Sequence, residues 1–534
     1  MARRPALPAA LPAALLSALV ACGGGGGGSP AGPAADTTPP SVPTGVSATP
    51  TAPTAASITW LASTDDRAGA ISYRLFRDGA LVATVSVLGS WDIVTAPGHF
   101  CWTVVAVDLA GNASAPSAAA CATLVDATPP AAPSNLQVAP LDTATMQLTF
   151  TGSFDDVGVT GYRIYRDGLL LTTLAPTFTA APQAWQDGGL DAATRACYAA
   201  SAVDGSGNES ARTAEACART PWHVETVAPG VNGRPSGATV DALGRLHVLA
   251  ESSNGQLGWW RRATDGTWTG ASPAPGVFAA LSGGLATDAS SHAHLSLVDA
   301  TAGTVLYATD ASGSWTLETV SAGAAPAIAV GPDGMPHVSY VAGSRIRHAV
   351  RGASGWTSEL VDALSSARTL SSIAVGSDGV VQVAWADTST SPYDSVRVST
   401  GGAGGFTSVP VATDLLNRLS LAMDGAGAVH LAREVGGEVI LHVDAGSGWT
   451  WEGGAAPSEA GSPVSLAFAG AETVIGYSSA GPRLARREGG AWTSLLADET
   501  SGCGTAAAVA AEPSGTVHLL YDCPGPRLVH AWAP

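Results

Sequence analysis

The residues best suited to chemistry recur at fixed spacings along the chain. His247, His294, His337, His430 and His518 hold one slot of a repeated segment, where Gln382 and Ile475 stand in two further copies. A series of imidazoles suggests metal ligation or acid–base work. Glu251, Asp299, Asp387, Glu434 and Asp522 align to within one residue at the end of the same segment. Such acids either satisfy backbone donors in a turn or form an acidic ring that could hold Ca²⁺ or a cationic partner. Arg234, Arg368 and Arg418 stand just ahead of the segment in three copies, and convergent guanidiniums could clamp a carboxylate sugar bidentately. Trp259-Trp260 followed by Arg261-Arg262 breaks the repeat. It is a candidate exposed aromatic–cationic patch, with simple packing as the alternative. The pairs Asp65/Asp66 and Asp155/Asp156 occupy one loop in each of two tandem modules, which favours a structural turn role over paired-carboxylate catalysis.

Cysteines complete the inventory. Six of the seven fall into Cys101/Cys121, Cys197/Cys217 and Cys503/Cys523, each pair 20 residues apart with a turn at its midpoint. Residues equidistant from a hairpin turn face each other within disulfide reach, so three cross-strand disulfides are expected in an oxidising space. Zinc ligation is the competitor, but no pair shows the close spacing of zinc sites.

These residues need strands to position them. Residues 328–341, "IAVGPDGMPHVSYV", read as two apolar runs around a tight Asp-Gly turn, a hairpin signal. Versions of it begin at residues 238, 285, 373, 421, 466 and 509, giving seven copies at a period of roughly 45 residues. Each copy adds a short third strand, as in "RIRHAV" (345–350), and a fourth that opens on an aromatic, as in "WTLETV" (315–320). Four short antiparallel strands per repeat make the blade of a β-propeller. The last copy, ending at Pro534, lacks its fourth strand, while an orphan "WHVETV" (222–227) precedes the first hairpin. Pairing the two gives seven complete blades and removes the strand edges that invite aggregation. The second strand of a blade lies away from the central channel. The histidines are therefore expected apart from one another, packed between sheets and hydrogen-bonded locally, and the repeated Trp268, Trp315, Trp356, Trp449 and Trp492 are expected to pack likewise, with a surface glycan-stacking role as the alternative.

The first two-fifths reads differently. Two tandem modules of ~90 residues alternate with period two between frequent turns, a sandwich pattern. They share "YRLFRDG" (73–79) with "YRIYRDG" (162–168), and "CWTVVAVDLAGNAS" (101–114) with "CYAASAVDGSGNES" (197–210). With the lead-ins "DTTPPSVP" and "DATPPAAP", they resemble bacterial fibronectin type III domains. That resemblance implies spacer or adhesion modules, with Trp60 as the core tryptophan and Phe150 in its place in the second. Residues 1–21 read as a signal segment: Arg3 and Arg4, then an apolar run. "LVAC" (19–22) resembles the lipobox of bacterial lipoproteins, which implies a lipidated Cys22; an ordinary secretory signal is the alternative. Residues 22–40, in which six glycines follow Cys22, are a flexible tether with a reach of roughly 20–25 Å. The expected layout is therefore 1–21, 22–40, sandwiches at 41–124 and 127–219, and a propeller at 220–534, all-β throughout. Membrane attachment through the lipid, on the bacterial outer membrane, is expected, and the chain is taken as a monomer.

A net charge of −18 argues against a nucleic-acid partner, which needs basic patches. The repeat resembles the "S-L-A-x-D-x-x-G-x-x-H-x-x-Y … W-x-x-E-x-V" propellers of bacterial surface lipoproteins, which supports fold far better than activity. The Asp-box of sialidase-type propellers is not met, because "TDASGSW" (309–315) has the wrong spacing. No two carboxylates are placed for glycoside hydrolysis. The expected function is a non-catalytic binding head for a glycan or a protein. A carbohydrate hydrolase or lyase and a purely structural envelope protein are the alternatives, and no cofactor is expected, with Ca²⁺ on the acidic series as the alternative.

Overall fold

A computed structural model describes residues 35–176, 182–229, 233–251, 256–275, 283–362, 367–389, 395–402, 405–413, 418–458, 463–488, 491–500, 502–504, 507–525 and 527–534. The side chains of a few strand-end residues within these ranges, among them 367–369, lie outside the description. Among the described residues the chain is all β, and no helix is long and apolar enough to cross a membrane. Cys22 and the expected tether up to residue 34 lie outside them.

In the first module a three-stranded sheet (Ser47–Ala52, Ala55–Thr59, Gly89–Ile93) accompanies a four-stranded one (Ala80–Val85, Ser72–Arg77, Gly98–Val107, Ala120–Leu124). Alternation sends Ile58 from one sheet and Leu75, Trp102 and Val104 from the other into a shared core. Trp60 joins that core, its ring 5.5 Å from Tyr73. The second module repeats the three-plus-four arrangement. Phe150 stands in the tryptophan's place, 5.1 Å from Tyr162. One polar device is common to both. Asp92 accepts from Arg77 (2.9 Å) and from the buried Trp102 Nε1 (2.7 Å). Asp187 accepts from Arg166 (2.8 Å) and from Tyr198 Oη (2.6 Å). The second module exchanges Trp for Tyr and keeps a donor aimed at the buried carboxylate. That requirement is physical, since such a group left without partners costs several kcal/mol.

The remaining described residues form seven four-stranded antiparallel sheets. Blade 1 opens with Pro235–Val240 and Leu246–Glu251, and blades 2 to 6 follow with first strands at Gly284–Thr287, Ala324–Val330, Ala367–Val375, Arg418–Met423 and Ser465–Ala469. The seventh contains Ala507–Ala511, Val517–Cys523 and Arg527–Ala533, and its fourth strand is His223–Pro229 from the far end of the repeat region. That strand pairs antiparallel with the last, from His223 opposite Trp532 to Pro229 opposite Arg527. Seven apolar clusters lie between neighbouring blades, including one that packs Leu520 and Leu528 of blade 7 with Val248 and Trp260 of blade 1.

The sequence dictates the hairpins directly. In blade 1 the Asp241 carboxylate accepts from Leu243 N and Arg245 N, both at 2.9 Å. Gly244 takes φ +75°, a left-handed conformation that side chains resist. The three disulfides form as expected. Cys101 and Cys197 lie directly opposite Cys121 and Cys217 in the strand register. Cys503 differs. It precedes the strand Ala507–Ala511, so its bond to Cys523 ties a connecting segment, not a strand partner, to the end of the second strand.

Candidate functional site

The histidine series resolves into a repeated structural device. His247 Nε2 is 2.9 Å from Asp241 Oδ2, His430 Nε2 3.3 Å from Asp424 Oδ2, and His518 Nε2 3.1 Å from Glu512 Oε1. His294 lies 3.4 Å from Asp288. In each case the acid stands six residues earlier, at the start of the hairpin turn, and all five imidazoles are buried. The other ring nitrogen reaches a neighbouring strand: His247 Nδ1 accepts from Trp259 Nε1 (3.3 Å), and His294 Nδ1 is 2.6 Å from Tyr307 Oη. Burial pushes His518 down to about 3, with neighbouring His530 and Arg262 adding to the shift, and pushes His337 down to about 4, aided by His348. His247, His294, His337 and His518 are thus held neutral by burial, and His430 is packed in the same way.

In blade 7 the device extends from the first hairpin turn across the other three strands. Glu512 meets His518 (3.1 Å), His518 meets His530 (2.9 Å), and His530 meets Glu225 (3.0 Å) on the strand contributed from residue 223 onward. Glu225 also accepts from Arg262 Nε (2.7 Å) and Trp268 Nε1 (3.0 Å) of blade 1. Burial alone would raise its pKa, but the hydrogen bonds from His530, Trp268 and Arg262 outweigh that and hold it down to about 2. Glu318 repeats the clasp toward blade 3, accepting from Arg351 (2.8 Å) and Trp356 Nε1 (3.2 Å). Glu452 pairs with Arg487 in the same way toward blade 6. Sequence reading passed over these clasps, although the Glu of "W-x-x-E-x-V" carried the signal.

Three of the aligned acids cap turns. Asp299 Oδ1 accepts from Thr301 N and Ala302 N, at 2.9 and 3.0 Å. Asp387 Oδ1 accepts from Ser389 N (2.9 Å) and Ser389 Oγ (2.6 Å). Glu434 Oε1 accepts from Gly437 N (2.9 Å). Asp387 and Glu434 are 1% and 0% exposed, which leaves them out of a solvent-facing ring. Glu251 and Asp522 are half-buried. Among the described residues, none of the five belongs to a convergent group of metal-ligating side chains. The arginines are spread over blades 1, 4 and 5. Arg234 is exposed, with Nε 4.0 Å from Asp522 Oδ2 of blade 7. Arg418 is exposed and stands opposite Glu434 in the register. The side chain of Arg368 lies outside the described residues.

The tryptophans require a correction. Trp259 and Trp260 are 5% and 9% exposed, so they do not form a surface patch. Trp259 packs edge-on against Trp315, with centroids 5.2 Å apart, and Trp260 fills the cluster between blades 7 and 1. The repeat-breaking aromatic that does reach solvent is Trp451, 69% exposed on the outer strand of blade 5. Its slot, two residues after the packed aromatic, holds Ser358, Ser408 and Ser494 in blades 3, 4 and 6, bonded to Tyr340, Ser399 and Tyr477. Slot-by-slot alignment of the fourth strands carried that signal. Trp91 in the first sandwich is similarly bare, at 67%.

No family model matches the chain. Chitinase A1 of Niallia circulans is 32% identical over 241 residues, 42% of this chain and 33% of that protein. Exoglucanase B of Cellulomonas fimi is 37% identical over 189 residues, 34% of this chain and 17% of that protein. The chain thus spans a third or less of the length of these two relatives. Among solved structures, AofleA from Arthrobotrys oligospora is similar at 13% identity and a TM-score of 0.38, covering 52% of this chain and 90% of that one. The SapL1 lectin, in complex with alpha methyl fucoside, gives 14% and 0.39, covering 50% and 98%. An Aleuria aurantia lectin mutant, in complex with Fucalpha1-6GlcNAc, gives 12% and 0.36, covering 57% and 94%.

Proposed function

We propose that this chain is a carbohydrate-binding protein of the cell envelope, anchored through a lipid on Cys22, whose seven-bladed domain presents the binding surface. The observation that carries the reading is Trp451. A large ring 69% exposed on an otherwise packed repeat is a ready stacking platform for the apolar face of a sugar. Arg234 and Arg418, exposed where the first strands of blades 1 and 5 begin, offer a separate set of donors for hydroxyl or carboxylate groups. The partial matches to a chitinase and an exoglucanase make polysaccharide the ligand class to test first. The histidines and most of the aligned acids are already occupied in turns and clasps, which favours binding over turnover at those positions.

The test is retention of the full chain on insoluble chitin and cellulose and on a glycan array. Wild type should be retained saturably and Trp451→Ala lost. Loss in Arg234→Ala/Arg418→Ala with Trp451→Ala unaffected would move the site to the arginines. No retention of any variant, or release of soluble sugar from the retained substrate, would overturn the reading.

A further inference from the structure

We propose a divalent-cation site, of a kind that takes Ca²⁺, in the lead-in of the second sandwich, formed by Asp126, Asp155 and Asp156. One carboxylate oxygen from each lies within 4.8 Å of the others. That is the widest separation two oxygens can have when both bind one Ca²⁺ at about 2.4 Å. The cluster alone would not distinguish a site from a crowded acidic turn, but the buried oxygens do. Asp126 is only 5% exposed; its Oδ1 accepts from Thr128 N, and its Oδ2 is buried with no hydrogen-bond partner. Asp155 turns Oδ2 to Val157 N and Gly158 N, and its Oδ1 is likewise buried without a partner. Among the described residues no cationic side chain pairs with any of the three. Two buried, partnerless carboxylate oxygens beside a third carboxylate are unfavourable by both desolvation and repulsion, and a bound hard cation removes both penalties.

The scaffold around the site is fixed independently. Asn208 Nδ2 donates to the backbone oxygen of Asp126 (3.2 Å) and to Asp204 Oδ2 (2.8 Å), so the lead-in is held against a turn of the sheet. The first sandwich repeats the pattern with Asp36, Asp65 and Asp108, where Asp65 Oδ1 is also buried without a partner. There Arg67 lines the same hollow, and both Asp108 oxygens are engaged by Asn112. The internal guanidinium competes with a metal, so the second sandwich holds the tighter site. The paired aspartates that read as simple turn formers in the sequence then have a second role, tying the segment between the sandwiches to the second one.

The experiment is Ca²⁺ titration of the chelator-treated full chain by calorimetry, with thermal melting of the same samples. The expected result is saturable binding and a raised melting temperature. Asp126→Asn and Asp155→Asn should each weaken binding at least tenfold, and Asp299→Asn should leave it unchanged. The two Asn variants should melt in chelator no lower than wild type, since each removes a buried charge, which separates lost ligation from lost folding. Absence of binding at millimolar Ca²⁺, or undiminished affinity in both variants, would overturn the proposal.

Discussion

Acidification should destabilise the blades through their buried imidazoles, and His337→Gln should remove a defined part of that loss. His337 is 8% exposed, and its Nδ1 lies 2.9 Å from His348 Nε2. Burial, then the neighbouring His348, lowers its pKa from 6.5 to about 4. A lowered imidazole pKa means that the unfolded chain takes up the proton first. The stabilisation is therefore complete above about pH 6.5 and is lost as pH falls from there toward 4. At pH 5 the unfolded form gains RT ln(1 + 10^1.5), while the folded form gains almost nothing. The difference is about 2 kcal/mol for this one side chain. Glutamine is a suited replacement because Gln382 holds the same slot in blade 4, where it accepts from Thr400 Oγ1 (2.9 Å). Urea midpoints of wild type and His337→Gln at pH 7.5, 6 and 5 test this. The stability lost between pH 7.5 and 5 should be smaller in the variant by about 2 kcal/mol. Equal slopes would refute the reasoning, since they would mean that His337 is charged or solvated in the folded state.

Three further outcomes follow from the same geometry. Glu225→Ala should cost about 3–5 kcal/mol in the blade domain, because it strands His530 and the Arg262 guanidinium in partly buried surroundings; denaturant melting of the full chain measures it. Asp92→Ala should destabilise the first sandwich by about 3 kcal/mol, through an unanswered Arg77 and a buried Trp102 N–H, whereas Asp92→Asn should recover part of the loss. Trp451→Ala should change stability by no more than about 0.5 kcal/mol, as befits an exposed side chain, and a larger loss would show the ring to be packed.

Much of the architecture was legible because it is written in periodicities. The glycine-bearing hairpin turns, with Gly244, Gly334, Gly379, Gly427 and Gly515 in five of the seven copies, the alternating strands and the aromatic-led fourth strand all recur, and the orphan "WHVETV" announced its partner. The histidines were correctly assigned to packing on topology. The acids six residues upstream of His247, His294, His430 and His518 carry no such signal, since pairing across a turn depends on which carboxylate oxygen the turn leaves free. At Trp259 and Trp260 a break in the repeat does not bring exposure. Adjacent strand residues face opposite sides, and in blade 1 both sides are covered, by blade 2 and by blade 7. Trp451 was missed for the complementary reason, that it sits beside a repeated tryptophan and looked like part of it. Cys503 shows a smaller limit: even spacing gave the right bond, but not the strand position.

The measurement that tests the account most directly is retention of the full chain and of Trp451→Ala on chitin, cellulose and a glycan array. Saturable retention of wild type, with at least tenfold weaker retention of the variant at unchanged melting temperature, is the expected result. Equal retention of the two, or none of either, would contradict it.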